Sequence, residues 1–146
     1  MENNNAEKRD EKQEGTAEKN INPDVKKLLD PEEQIRRVAK GTMTLAVPIQ
    51  DGENTVTELH WDFLSLTGAE YVDALDADRK AVNTFRITNT QAFCLFAAAA
   101  AKATKGIDAT DIRRGMGVMD AQKATQLATV FFTASNQAGY SRISNG

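Results

Sequence analysis

Between Thr67 and Asp111 the chain carries three helix-start signals, and they limit the possible folds more than any average property does. Thr67-Gly68-Ala69-Glu70 and Thr88-Asn89-Thr90-Gln91 are capping boxes. In each, the threonine hydroxyl can accept the backbone N–H three residues on, while the Glu or Gln side chain reaches back to the threonine N–H. Asp108-Ala109-Thr110-Asp111 opens a third, short helix, with Ile107 and Ile112 placed as a hydrophobic staple, as Leu66 and Tyr71 are for the first box. The second box begins the most apolar helix, predicted through Lys105 and closed by Gly106. Asp120 is placed to cap a fourth helix running to about Ser135, and Gly139 onward reads as a polar tail.

Before these helices the pattern has a strand period. Met43, Leu45, Val47 and Ile49 fall on every second position. Asp51-Gly52 suits a chain reversal, and Thr55 to Phe63 reads as the returning strand with Leu59, Trp61 and Phe63 on one face. Val56 is out of phase with those three, which predicts a bulge or a late start, and Pro48 lacks an amide donor and belongs at an unpaired edge position. A lone hairpin is marginal in water, so it must pack on the helices or pair with another chain. The expected class is α+β and mainly helical: an N-terminal β-hairpin followed by a small bundle of about four helices.

Residues 1–22 contain only Met1, Ala6, Ala17 and Ile21 as apolar residues in a background of Glu, Lys, Asn, Arg and Asp. Such a stretch cannot offset roughly 1–2 kcal/mol of backbone entropy per residue, so disorder is expected. Asp30-Pro31-Glu32-Glu33 can open a short helix, with proline and carboxylates in its first turn, that orders only against a partner surface. The expected division is a charged extension over 1–40, a folded body over 41–136 and a flexible tail over 137–146. The 146 residues suffice for one domain plus a tail. With 18 Lys+Arg against 21 Asp+Glu, the net charge of −3 argues against nonspecific nucleic-acid or anionic-membrane binding. The single cysteine excludes an intramolecular disulfide, no apolar run reaches membrane-spanning length, and residues 1–10 have no apolar core of a secretory signal. A cytosolic location is expected.

No constellation of reactive residues stands out. His60, the one histidine, alternates with Leu59 and Trp61 and should face solvent; no local motif joins it to a nucleophile. Cys94 lies between Phe93 and Leu95, where a thiol behaves as a small inert hydrophobe. Glu70, Asp73 and Asp76 read as a solvated helix face, and no calcium-loop pattern accompanies them. Gly115-Met116-Gly117 begins like a phosphate-cradling turn, but Asp120 stands where the dinucleotide fingerprint needs its third glycine. Arg113 and Arg114 are too few for a nucleic-acid patch. No catalytic residue, cofactor or metal is expected.

The remaining feature is apolar surface. Phe93, Phe96, Ala97, Ala100 and Thr104 share one face of the second helix, and alanines occupy 97–101 without a break. Ala124, Leu127, Ala128 and Phe131 form the inner face of the last helix, with Val130 and Phe132 extending it. These residues supply one shared core. Part of the same surface, with Phe93, Phe96, Ala97, Ala100, Val130 and Phe132 as candidates, can also form a groove for an apolar helix of another protein.

The order of features resembles the tail assembly chaperones of tailed bacteriophages. The resemblance rests on Thr55-Val56-Thr57-Glu58-Leu59, Leu64-Ser65-Leu66-Thr67-Gly68-Ala69-Glu70, Phe96 with the alanine run, Ile107-Asp108-Ala109-Thr110-Asp111, Asp120-Ala121 and Phe131-Phe132, covering residues 42–135. It implies a non-enzymatic protein of the host cytoplasm that binds the long, helical tape measure protein and keeps it soluble while tail tube subunits polymerise around it. The tail tube protein and further copies of the chain are secondary partners under that resemblance. Some members are made in two lengths by ribosomal frameshifting. The competing classes are a minor structural tail protein retained in the virion, and a small enzyme or regulator without a legible motif.

Overall fold

The computed structural model describes residues 30–78 and 86–145, with side chains through residue 139. The expected disorder over 1–22 lies outside the described residues. Helix α1 (Pro31–Val38) leads directly into an antiparallel hairpin of β1 (Lys40–Asp51) and β2 (Asn54–Asp62). A single 3-10 turn (Phe63–Ser65) follows, then α2 (Gly68–Leu75), α3 (Asn89–Ala103), α4 (Ala109–Gly115) and α5 (Val118–Asn145). The fold is α+β and mainly helical, with four α-helices after the hairpin among the described residues.

The local start signals act where the sequence places them. Thr67 Oγ1 accepts the Glu70 N–H at 3.1 Å, and Glu70 Oε1 accepts the Thr67 N–H at 3.1 Å. Thr88 and Gln91 repeat the exchange, and Asp108 caps α4 through the Asp111 N–H at 2.8 Å. Glu70 also meets Lys102 Nζ at 2.7 Å. That hydrogen bond, followed by those from Thr67, holds the Glu70 carboxyl below the usual carboxylate range. The contribution of this contact is therefore present above the ordinary carboxylate pKa and fades as pH falls through the lower folded value. Replacing Thr67 with Ala removes the cap oxygen and should cost about 0.5–2 kcal/mol, read as a lower denaturant midpoint at constant slope. An unchanged midpoint would show that the box contributes nothing.

The core is built where the hairpin's inner face meets α3. Phe96, Ile49, Leu59, Leu95 and Ile112 are fully buried. Phe96 lies 5.5 Å from the Trp61 ring and edge-on to Phe63 at 6.3 Å, and Phe63 stacks on Phe131 of α5 at 4.7 Å. The alanines of α3 let neighbouring elements approach closely, and Gly115 does the same for α4. A Cβ on Gly115 would stand 2.7 Å from Ile49 Cγ2, so only glycine lets the end of α4 rest on β1. Gly52, at φ 60°, sits in the two-residue turn between the paired Asp51 and Asn54, a backbone conformation that favours glycine.

Four features differ from the sequence expectation. The bulge falls in β1: between the pairs Thr44–Glu58 and Ile49–Val56, the four residues Leu45 to Pro48 stand against Thr57 alone. Pro48 sits in this unpaired stretch as expected, but Val47 is turned outward and is exposed. Asp120 does not cap α5. The helix begins at Val118, and the Asp120 carboxylate is directed instead to the bulge. Nor does α5 stop near Ser135, because a single Gly139 costs only about 1 kcal/mol and does not end a long helix. The polar stretch expected as a tail continues the helix to Asn145. Finally, α1 packs against α5 of its own chain, so the partner surface it requires is internal and the packed body extends N-terminal of residue 41.

Candidate functional site

Two polar side chains hold the hairpin's edges against the helices. Thr104, the C-cap of α3, accepts the His60 N–H through Oγ1 at 2.9 Å and donates the same hydroxyl to the His60 carbonyl at 3.0 Å. Asp120, 1% exposed, accepts the Ala46 N–H at 2.9 Å and the Val47 N–H at 3.2 Å. Thr104 thus satisfies the outward main-chain groups of His60 on β2, and Asp120 the amides of Ala46 and Val47 at the bulged end of β1. These two are the buried polar residues among those described, and each removes a main-chain penalty of about 1–3 kcal/mol per unsatisfied group.

Between those anchors the other end of β1 is left open. A groove of ≈ 590 Å³ runs between β1 and α5. Thr42, Met43 and Thr44 form one wall, Leu127 and Val130 the other, and Trp61 and Val38 close one end. Trp61 is fixed there by donating its indole N–H to the Val38 carbonyl at 2.9 Å. A second groove of ≈ 310 Å³ lies between α1 and α5 and shares Val38 and Val130 with the first. The charged residues lining the two are Lys123 and Arg37. Arg37 already faces Glu33 at 3.8 Å, whereas Lys123 has no carboxylate within ion-pair distance among the described residues.

The six candidate partner-binding residues do not assemble on one surface. Phe96, Ala97 and Ala100 are fully buried, and Phe132 is buried at 6% exposure. Phe96, Ala97 and Ala100 lie in the core because the hairpin covers the face of α3 that the sequence leaves open to either role. Phe93 is half-buried against the same core. Val130 alone is exposed, at 38%, and it stands on the ridge shared by the two grooves. Sequence reasoning missed Val38 and Lys123 as groove residues. The spacing of Val38 from Ile35 on α1 is the signal that could have found the former.

The other singled-out residues remain apart. His60 is exposed, with Nδ1 2.8 Å from Thr42 Oγ1 and Nε2 3.3 Å from Glu58. Cys94 is buried, which pushes its thiol pKa up and keeps it protonated, despite the opposing effect of Arg113. Among the described residues no group of three His, Cys, Asp or Glu side chains could hold a metal ion, and no helix is long and apolar enough to cross a membrane. No protein-family model matches the chain, and no curated protein or solved structure matches it.

Proposed function

We propose that this protein is a bacteriophage tail assembly chaperone: it binds an apolar segment of the tape measure protein and keeps that protein soluble in the host cytoplasm until the tail tube forms around it. The observation that carries the reading is the pair of joined grooves along α5, lined by Val38, Met43, Trp61, Leu127 and Val130. A monomer gains nothing from leaving such a surface uncovered, and joined apolar grooves with a polar rim mark binding sites. The order of features that resembles the chaperones supplies the partner.

Affinity here comes from burying apolar area, at roughly 25 cal/mol per Å² before the costs of association. Binding should therefore carry a negative heat-capacity change and weak salt dependence. Co-expression with a phage tape measure protein is the test. The expected result is a soluble tape measure protein recovered with this chain, and no copy of this chain in purified virions by mass spectrometry. A partner that stays insoluble would overturn the reading, and presence in virions would favour a structural tail protein.

A further inference from the structure

The main-chain directions of β1 say what form the bound segment takes. In an antiparallel ladder the N–H and C=O of one residue point to the same side, and the side alternates along the strand. His60 pairs with Thr42 by position, yet its N–H and C=O both bond Thr104 on the far side of β2. Thr42 and His60 are therefore a non-hydrogen-bonded pair. By alternation the main-chain groups of Thr42 and Thr44 point away from β2, the side on which the Ala46 N–H meets Asp120. Among the described residues the sheet has two strands, and none of those residues bonds these groups of Thr42 or Thr44. They open into the groove that α5 walls on its other side.

We propose that the outer edge of β1 at Thr42 and Thr44 takes a single extended, apolar segment bearing a carboxylate, from a partner protein, as a third strand of the sheet. The inference rests on the reading of the groove as the binding site and adds the form of the bound segment. A helix cannot use the two N–H and two C=O groups offered here, because its own main chain is already bonded; an extended segment can. The one charged residue lining this groove is Lys123, so it favours a segment that carries a carboxylate. Alternate side chains would lie against Leu127 and Val130, and a carboxylate would meet the unpaired Lys123. The strand is short by construction, since the bulge and Asp120 end the free edge at Ala46.

The test uses the full chain and a terminally blocked six-residue peptide that alternates valine with threonine and carries one central glutamate. Amide exchange and chemical shifts are followed by NMR. At saturation the Thr42 and Thr44 amides should slow by about tenfold or more, the equivalent of a hydrogen bond to each. N-methylation of one alternate set of peptide amides should abolish binding while the other set is tolerated, because one edge of a strand faces β1. Thr44→Pro removes an outward donor without touching the β2 ladder and should weaken binding by about tenfold. Lys123→Ala should weaken it by about 1.5–5-fold. No change at the Thr42 and Thr44 amides, or equal binding by both methylated peptides, would overturn the proposal. A positive peptide response together with an insoluble tape measure protein would remove the named partner and leave the strand site standing.

Discussion

Replacing Phe96 with Ala is expected to destabilise the protein by about 3–5 kcal/mol, a large part of the stability of a domain this size. The ring is fully buried and is the point where three parts of the chain meet. Trp61 of β2 and Phe63 of the following turn both pack on it, and Phe63 passes the contact on to Phe131 of α5. Its α3 neighbours Ala97 and Ala100 are too small to fill the space it leaves. The cavity would therefore persist, which puts the cost at the upper end of the range. Phe96→Leu keeps most of the volume and should cost much less. Equilibrium urea unfolding measures both; a loss below about 1 kcal/mol for the alanine variant would contradict the placement of this ring.

Asp120→Ala should cost about 3 kcal/mol, because it leaves the Ala46 and Val47 amides without an acceptor. The bulge places four residues of β1 against one of β2, so these amides cannot turn to the ladder for a replacement. Position in the first turn of α5 adds a favourable interaction between the carboxylate and the helix dipole. Asp120→Asn keeps one acceptor but sets an NH₂ group near two N–H donors, so it should recover only part of the loss. Hydrogen exchange at Ala46 and Val47 should rise in both variants before that of the buried ladder residues. Unaltered exchange there would mean that the bulge does not depend on Asp120.

What the sequence makes legible is what is local. The capping boxes at Thr67 and Thr88 involve groups three residues apart, and the helices start where those residues stand. The hairpin follows from a two-residue period and an Asp-Gly pair, with Leu59 and Trp61 buried on the inner face of β2 as read and Phe63 buried in the turn just beyond it. The contacts that escaped the reading join distant parts of the chain. Asp120 has every mark of a helix cap, but its acceptor oxygens serve amides more than 70 positions away. Thr104 sits on an apolar helix face by spacing, yet its hydroxyl bonds both outward main-chain groups of His60 on β2. The groove was hidden for the same reason, being the gap between one strand edge and one helix. An alanine-rich face with phenylalanines reads equally well as core or as docking surface until the hairpin is seen to cover it. Val130 escaped that cover because it lies on the flank of α5 turned toward α1 and the open edge.

The central claim is that the α5 grooves hold the tape measure protein, and Val130 tests it most directly. Phe132 is unsuitable, since a charge at that buried position would unfold the chain. Val130→Glu places a charge on the ridge between the two grooves at a site already 38% exposed, so its thermal midpoint should stay close to that of the parent. Pull-down of co-expressed tape measure protein by the parent and by this variant is the decisive measurement. The account predicts full recovery with the parent and about a tenfold loss with the variant, the result of burying a charge against apolar side chains. Equal recovery by a folded Val130→Glu protein would contradict it.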